Sequence, residues 1–274
     1  MLNQMETRNL NLMLKKIADI VTNIAKTEVM PRYLKVEHTR KNDGSLFTEA
    51  DLACQNALIA ALTELADYPV VGEEMSDEEH LCAWQAGQNG LWCIDPIDGT
   101  SNFVNGIPYF AVSVALMRNG RSIMGVIYDP VADELFCAEQ GHGATLNGVP
   151  LPLIHHQRTM QQALAGIEFK RIPPSVAAHI AFKPPYSSHR NFGASTLDWC
   201  YLAAGRLDIY LHGGQKLWDY AAGSLILHEA GGLCRSLKQA DFEMDSPWQR
   251  SVIAALDPVL FAEWCEWVTT IPAV

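Results

Sequence analysis

Apolar positions along the chain recur at two spacings, one typical of helices and one typical of strands. Over residues 7–30 they follow the helical spacing up to Pro31, which predicts an amphipathic helix that ends there. Helices are also predicted at 48–66, around 174–182, and at 196–205, 218–230 and 258–268. Short apolar runs predict strands at 69–71, 91–94, 111–117, 123–128, 134–139, 162–167, 207–211, 233–235 and 251–255. Because helices and strands alternate while hairpins occupy the middle of the chain, we expect an α/β protein with mixed sheets.

The segments between these elements carry turn and loop signals. Asn-Gly pairs at 119–120 and 147–148 predict hairpin turns. Polar or glycine-rich sequence predicts a turn-rich loop at 41–45, a loop or short helix at 76–90, irregular chain at 183–190 and a loop at 212–216. The Gly-His-Gly at 141–143 predicts a turn and not a dinucleotide-binding loop, because no third glycine follows at the right place and no helix begins there.

The composition limits the class of protein. With 274 residues, 49% of them hydrophobic, the chain can bury a large core, either as one α/β domain or as two halves packed together. The formal net charge of −11 argues against a nucleic-acid-binding surface. An acidic protein that handles phosphate esters would need metal ions to reverse the local field.

Other features of the sequence bear on location. The seven cysteines are dispersed and form no C-x-x-C pair, so reduced thiols and a cytoplasmic location are expected. No segment contains 18 consecutive apolar residues, and the N-terminal residues lack the apolar core of a signal peptide. We therefore expect a soluble protein.

Residues 92–105 contain the most informative chemistry and read W-C-I-D-P-I-D-G-T-S-N-F-V-N. Asp95 and Asp98 follow the predicted strand 91–94, and Gly99 permits a tight backbone turn before residues that are good caps for a short helix, Thr100, Ser101 and Asn102. Two carboxylates beside the free N–H groups of a helix start suit a divalent cation that holds a phosphate. The alternative is an ordinary turn, since D-P and D-G are common turn dipeptides.

Acidic residues at four places share this local pattern, because each follows an apolar strand or lies in the first turn of a helix. They are Glu73 with its neighbour Glu74, Asp95, Asp98 and Asp219. One such residue alone would most simply be a solvated surface carboxylate. Asp219 lies in W-D-Y-A-A-G, where small residues let a helix start approach another backbone closely, and the acid there is favoured by the helix dipole. The set therefore predicts a common site.

Several motifs now resemble those of the inositol monophosphatase family. They are G-E-E at 72–74, D-P-I-D-G-T-S-N-F at 95–103 and W-D-Y-A-A-G-S-L-I-L-H-E-A-G-G at 218–232, with T-E-A-D at 48–51 and G-x-G-A-x-x-N-G at 141–148. This family belongs to the Mg²⁺-dependent, lithium-sensitive phosphatase superfamily that includes fructose-1,6-bisphosphatase and the phosphoadenosine-phosphate phosphatases. The resemblance covers nearly the whole chain, and its motifs occur in the family's order.

The resemblance implies a layered α-β-α-β-α sandwich. It further implies that residues 1–274 form one inositol monophosphatase-like domain. An N-terminal half of about 1–145 would carry most metal ligands. A C-terminal half of about 146–274 would supply Asp219 and the substrate loop.

The resemblance also implies a metal site. Glu73, Asp95 and the carbonyl of Ile97 would hold a first Mg²⁺, and Asp95 would bridge to a second ion completed by Asp98 and Asp219. A third, weaker ion is expected near Glu73. By the same resemblance Mn²⁺ would replace Mg²⁺, and Li⁺ would inhibit.

The family mechanism is hydrolysis of a phosphate monoester without a covalent phosphoenzyme. The resemblance implies that Glu73 and Thr100 orient the attacking water and that Asp51 holds the Thr100 hydroxyl. The N–H groups of Gly99 and Thr100 would bind phosphate oxygens, and Asp98 and Ser101 are further phosphate-binding candidates.

The substrate loop departs from the family pattern. Inositol-specific relatives carry a glutamate seven residues before the W-D aspartate, where it binds substrate hydroxyls, and this chain has His212 at that position. His212 and Lys216 would favour a substrate with a second anionic group or one unlike inositol; the alternative is a loop merely reshaped by its two glycines. Arg190 and Ser195 are further candidates for the substrate rim.

The sequence therefore supports hypotheses from different classes. The first is a Mg²⁺-dependent phosphatase of a small phosphorylated polyol, sugar or alcohol. A related specificity, for histidinol phosphate, fructose-1,6-bisphosphate or a 3′-phosphonucleotide, is the enzyme alternative. The other class is a regulatory binding protein that acts mainly through a partner. By analogy with the family we expect a homodimer. From the acidic charge and the lack of a long apolar segment we expect no direct nucleic-acid binding and no membrane association.

Overall fold

The computed structural model describes residues 4–35, 38–40 and 46–271, and the predicted loop at 41–45 lies outside the described residues. The helices are α1 (Gln4–Ile24), α2 (Glu49–Leu65), α3 (Asp77–Ala86), α4 (Thr100–Asn105), α5 (Pro174–Phe182), α6 (Ser195–Ala203), α7 (Leu217–Glu229) and α8 (Pro258–Thr270). Helix α1 continues as a π-helical turn, Ala25–Val29, and a 3₁₀ turn, Met30–Arg32, so the predicted helix 7–30 is confirmed. No described helix combines the length and the apolar character that crossing a lipid bilayer requires.

The strands of the described chain form a large sheet, a small sheet and a short antiparallel pair. The pair is β1 (His38–Arg40) and β2 (Leu46–Thr48). The large sheet has the order β3 (Val70–Gly72), β4 (Leu91–Asp98), β5 (Ala111–Arg118), β6 (Arg121–Asp129), β7 (Glu134–Glu139), β8 (Gly143–Leu146), β9 (Val149–Pro150). The small sheet has the order β11 (Ser188–Arg190), β10 (Leu164–Glu168), β12 (Ile209–Gln215), β14 (Arg250–Ala255), β13 (Leu233–Arg235). Strand pairs β3–β4, β10–β11 and β10–β12 are parallel and the others antiparallel, so both sheets are mixed, as predicted.

Three buried apolar clusters show how the layers stack. One joins α1 and α2 to the outer face of the large sheet, and includes Val21, Leu58 and Val126. The second lies between the two sheets and is built on α6 and α7. The third joins α5 and α8 to the outer face of the small sheet. The order helix, sheet, helix, sheet, helix confirms the predicted layered α/β sandwich.

Several predicted boundaries differ from the structure. The strand predicted at 91–94 continues to Asp98, because a bulge between Asp95 and Asp98 accommodates Pro96 without ending the strand. Residues 212–215 of the predicted loop 212–216 form the end of β12, which also contains a bulge, so the two glycines mark an irregular strand. The chain predicted to be irregular at 183–190 includes strand β11, whose short, polar sequence carries no strand signal. Residues 77–86 form helix α3, capped by Ser76.

Small residues on α7 allow the close layer contacts that the W-D-Y-A-A-G motif predicts. A Cβ atom at Gly223 would lie 2.6 Å from Cβ of Trp199 on α6. On the other side of α7, a Cβ atom at Gly125 of β6 would lie 2.9 Å from the Ala222 carbonyl oxygen. Helix α7 therefore packs at nearly backbone distance against both neighbours, which fixes the position of its first turn.

We expect Gly223→Ala to destabilise the protein by about 1–3 kcal/mol, because the new methyl group overlaps the fully buried Trp199. An exposed helical glycine would instead gain about 1 kcal/mol from the same change. The midpoint of urea unfolding measures the difference, with the exposed helical substitution Glu78→Ala as control. A Gly223→Ala variant as stable as the wild type would contradict the close packing of α6 and α7.

Candidate metal and phosphate site

Strand β4 places two carboxylates at its carboxyl end. All its residues are buried, and the bulge shifts the register so that Asp95 pairs with Ser113 and Asp98 pairs with Ala111. A strict two-residue alternation would set residues three apart on opposite faces of the sheet. The bulge is therefore the local feature that brings both side chains to one side.

Gly99 makes the turn from β4 into α4. Its φ is +91°, and a Cβ atom there would lie 3.1 Å from the Tyr109 carbonyl oxygen and 3.0 Å from the Ala194 side chain. Gly99 is the N-cap residue, and no side chain caps α4. The prediction that Thr100, Ser101 or Asn102 caps this helix was wrong, because the left-handed turn at Gly99 lets the helix start one residue earlier.

Asp95, Asp98 and Asp219 form the centre of the site. Each offers one carboxylate oxygen, and these three oxygens lie within 4.8 Å of one another. Oδ2 of Asp98 accepts the N–H and the hydroxyl of Thr196, both at 2.6 Å, and Oδ2 of Asp219 accepts the N–H of Lys216 at 2.8 Å. These hydrogen bonds fix the orientation of the two carboxylates.

Asp95 differs from the other two aspartates. Both of its carboxylate oxygens are buried, and neither receives a hydrogen bond from the described residues. A buried polar group without a partner is costly, so such a group usually marks a missing ligand. Buried carboxylate oxygens facing other carboxylates are the donor set that Mg²⁺ takes, and the residues present therefore fit a divalent cation.

The pKa values of the three aspartates reflect their burial and the repulsion between their charges. Burial, followed by the charges of Glu73, Asp98 and Asp219, raises the pKa of Asp95 well above its ordinary value. Burial raises the pKa of Asp98 to about 6, against the opposing hydrogen bonds from Thr196. Burial and Asp98 raise the pKa of Asp219 to about 8. Because these pKa values are higher in the folded protein than in the unfolded chain, protonation stabilises the metal-free fold, and this contribution is lost as the pH rises through 6 and 8.

The predicted site residues surround one cleft of about 720 Å³. Its lining includes Glu73, Asp95, Ile97, Asp98, Gly99, Thr100, Ser101, Ser195, His212, Lys216 and Asp219. Glu73 follows β3, and the turn that carries it is held by buried Gln55, whose side-chain oxygen accepts the N–H of Glu74 at 3.1 Å. Arg190 is not among the residues that line this cleft; it is exposed on β11, where it donates to Ser188 and His189.

Asp51 lies behind the cleft wall and contacts Thr100. The Thr100 hydroxyl is 3.3 Å from Oδ1 of Asp51 and 3.0 Å from the Ile97 carbonyl oxygen. Oδ2 of Asp51 accepts the N–H and hydroxyl of Thr48 at 2.8 and 2.6 Å, in the capping box that starts α2. The fully buried Asp51 is thus fixed by one end of its carboxylate and reaches Thr100 with the other.

His212 is buried and lines the cleft. Its Nδ1 accepts the N–H of Gly214 at 3.1 Å, which places the ring proton on Nε2. Burial and the nearby Arg171 lower the pKa of His212 to about 3, so the imidazole is neutral at pH 7. It offers a hydrogen-bond donor to the cleft but no positive charge.

Sequence reasoning missed several residues of the cleft. Lys170 and Arg171 follow β10 in a segment without a recognisable pattern. Asp198 of α6 is buried, its Oδ1 accepts the Tyr109 hydroxyl at 3.2 Å, and burial raises its pKa well above the ordinary value. An acid inside an apolar helix pattern was the available signal for Asp198.

His80 of α3 also belongs to the cleft, and it connects two metal-ligand candidates. Its Nε2 lies 2.7 Å from the carbonyl oxygen of Gly72, so this nitrogen carries the proton and donates. Its ring lies 5.0 Å from the ring of Trp218 and 5.7 Å from that of Trp248. Gly72 immediately precedes Glu73, and Trp218 immediately precedes Asp219. His80 therefore positions the two chain segments that present these carboxylates.

The layered fold and its carboxylate cluster define an α/β protein with a site suited to divalent cations and phosphate. The model for the inositol monophosphatase family matches residues 7–270. Nus factor SuhB of Haemophilus influenzae is 36% identical over 232 residues, 82% of this chain and 83% of that protein. Inositol-1-monophosphatase of Caulobacter vibrioides is 31% identical over 221 residues, 77% of this chain and 83% of that protein.

The fold comparison agrees with these matches. The crystal structure of extragenic suppressor protein suhB from Bartonella henselae superposes with a TM-score of 0.80 at 26% identity, covering 94% of this chain and 99% of that one. The chain belongs to the inositol monophosphatase family, as its motifs predicted.

We expect Mg²⁺ to raise the melting temperature of the wild-type protein and not that of Asp95→Asn. A ligand at 100 times its dissociation constant adds about 2.7 kcal/mol of stability. The variant lacks the carboxylate that receives no hydrogen bond from the described residues. In metal-free buffer at pH 9, Asp95→Asn should melt higher than the wild type, because it removes one of the mutually repelling groups. Asp67→Asn, an exposed carboxylate outside the cluster, is the control. An equal Mg²⁺ shift in Asp95→Asn and wild type would refute the assignment.

We expect His80→Ala to weaken Mg²⁺ binding roughly tenfold, because groups that orient metal ligands commonly contribute 10- to 100-fold to affinity. His80→Gln keeps a donor for the Gly72 carbonyl and should recover part of the loss. Titration calorimetry gives the dissociation constants, with the exposed His155→Ala as control. Unchanged affinity in His80→Ala would show that the ring only fills space.

Proposed function

We propose that this chain is a Mg²⁺-dependent phosphatase that hydrolyses a small phosphate monoester, such as an inositol phosphate or a sugar phosphate. The observation that carries the proposal is Asp95, a buried carboxylate without a hydrogen-bond partner in the described chain, set beside Asp98 and Asp219 in an open cleft. Membership of the inositol monophosphatase family supports the same activity.

The residues that would hold two or three Mg²⁺ ions are Glu73, Asp95, Asp98, Asp219 and the carbonyl of Ile97. The Ile97 carbonyl accepts one hydrogen bond from Thr100 and keeps a second lone pair. When bound, Mg²⁺ supplies charge neutralisation for the phosphoryl oxygens and lowers the pKa of water.

Thr100 orients the attacking water in this proposal. Its hydroxyl proton is directed to Asp51 or to the Ile97 carbonyl, which leaves its oxygen lone pairs available to accept a hydrogen bond from water. Asp51 touches no substrate and acts as a positioning residue, since its other oxygen is held by Thr48. Glu73 is the second acceptor for the water.

The turn from β4 into α4 binds the phosphate. The N–H groups of Gly99, Thr100 and Ser101 belong to the first turn of α4, whose amides have no earlier helical carbonyl to bind. The N–H groups hold the phosphate oxygens, and the carboxylates line the same cleft. Phosphate held this way presents its phosphorus to the water oriented by Thr100.

A second candidate function is regulatory binding. One curated relative of this chain is named Nus factor SuhB. A role limited to binding a partner has no use for the carboxylate cluster or for the Asp51–Thr100 contact. We therefore favour the phosphatase, and the two functions are separable by phosphate release. Li⁺ inhibition, replacement by Mn²⁺ and a homodimer stay predictions from the family resemblance.

We expect the protein to release phosphate from at least one of inositol phosphates, glycerol phosphates, histidinol phosphate, fructose-1,6-bisphosphate and phosphoadenosine phosphate, and only with Mg²⁺. Thr100→Val should lower kcat about 10²-fold, because it removes the hydroxyl that orients the water, whereas Thr100→Ser should retain most activity. Both variants should still bind Mg²⁺. Equal activity of Thr100→Val and Thr100→Ser would contradict the role of the hydroxyl. If Mg²⁺-bound protein releases phosphate from none of these compounds, the regulatory binding role is favoured.

A further inference from the structure

The cleft contains three cationic side chains besides its carboxylates. Lys170, Arg171 and Lys216 all line it, and all three are exposed. In the described part of the chain, none of the three side chains forms an ion pair or a hydrogen bond. In a protein of net charge −11, three cations left unpaired in one cleft indicate an anionic ligand from outside the chain.

The backbone fixes where Arg171 lies. Strands β10 and β12 are parallel, with Glu168 opposite His212, and Lys170 and Arg171 follow directly from the end of β10. A Cβ atom at Gly213 would lie 1.7 Å from the Arg171 carbonyl oxygen. No other residue type fits at position 213 while the chain at 171 keeps its place, so Gly213 allows the Arg171 backbone to lie directly against β12.

Two neighbours anchor this segment further. The Glu168 carboxylate accepts the backbone N–H of Lys170 at 2.7 Å. This hydrogen bond fixes the turn that follows β10. Ile172, directly after Arg171, is buried in the cluster against α5 and α8. Arg171 thus extends from a backbone that is held on both sides.

The positive charge in this part of the cleft comes from Arg171 and not from His212. The imidazole is neutral and contributes the Nε2 proton as a donor. Arg171 lies beside the histidine, because the backbone at Gly213, the residue after His212, packs against the Arg171 carbonyl group. Arg171 also lines the same cleft as the metal-binding carboxylates. A ligand bound at Asp219 that extends toward His212 therefore shares the cleft with Arg171.

We infer that Arg171, supported by Lys170 and Lys216, binds a second anionic group of the substrate. The preferred substrate is then a phosphate monoester that carries a further phosphate or carboxylate, ahead of a polyol phosphate without a second anionic group. This inference rests on the proposed phosphatase function. A guanidinium binds either anion through two parallel hydrogen bonds, which gives both affinity and orientation.

The experiment compares substrates in matched pairs that differ only in the second anion. Inositol 1,4-bisphosphate is paired with inositol 1-phosphate, and 2-phosphoglycerate with glycerol 2-phosphate, so the pairs distinguish phosphate from carboxylate. In Mg²⁺, the wild type should show kcat/KM about tenfold higher for the member with the second anion in at least one pair. The preference should weaken as ionic strength rises, because exposed charges are screened.

Variants test which residues create this preference. Arg171→Met should reduce the ratio within a pair about tenfold, and Arg171→Lys should restore part of it. Gly213→Ala should also reduce the ratio, whereas Gly214→Ala should keep it, since that Cβ would meet only the end of the Gln249 side chain, at 2.9 Å. Arg121→Gln removes an exposed arginine of β6 outside the cleft lining and is the matched control.

The outcomes are separable from those of the proposed function. A wild type without preference in either pair overturns the inference, as does an Arg171→Met variant that loses activity equally on both members. If no compound releases phosphate, the phosphatase proposal fails. Calorimetric binding of the same pairs in Mg²⁺ then decides the inference, because the ligand is not consumed. Tighter binding of the doubly anionic member, lost in Arg171→Met, supports it, and equal binding overturns it.

Discussion

Asp95 and Asp98 are buried and Asp219 is half-buried, and one carboxylate oxygen from each lies within 4.8 Å of the others. This arrangement sets like charges against one another where they are poorly solvated. The cost appears as raised pKa values, and for Asp95 as two oxygens without a hydrogen bond from the described residues. Two of the carboxylates are partly compensated by backbone N–H groups and a threonine hydroxyl, while the third is not. A divalent cation would neutralise the repulsion between the carboxylates and would also give the Asp95 oxygens a partner. We therefore interpret the cluster as a metal-binding site.

The surrounding fold keeps these groups from moving apart. Asp95 and Asp98 lie on a fully buried strand, and Asp219 lies on a helix whose Gly223 leaves no space against Trp199. His80 and Gln55 hold the turn that carries Glu73, with His80 also packed on Trp218. A site under electrostatic strain needs such support, since free side chains would turn toward water.

Much of this was predictable from the sequence because local patterns dictate it. The amphipathic helix patterns, the Asn-Gly hairpin turns and the Thr48–Asp51 capping box depend only on residues close in sequence. Most residues of the recognised motifs line one cleft. The bulge between Asp95 and Asp98, the strand character of 212–215 and the contact of Gly213 with Arg171 depend on pairing with distant segments. Local spacing does not encode such contacts. For the same reason the neutral state of His212 and the positions of His80, Lys170 and Arg171 required the structure.

The central claim is that the carboxylate cluster is a divalent-cation site, and anomalous scattering from Mn²⁺ tests it most directly. Crystals of the wild-type protein soaked in Mn²⁺ should show anomalous density in contact with Asp95, Asp98 and Asp219, and crystals of Asp95→Asn should lose or weaken it. Mn²⁺ is suitable because it takes the same oxygen ligands as Mg²⁺ and scatters anomalously. Crystals with Mn²⁺ bound elsewhere and no density at these three carboxylates would contradict the account.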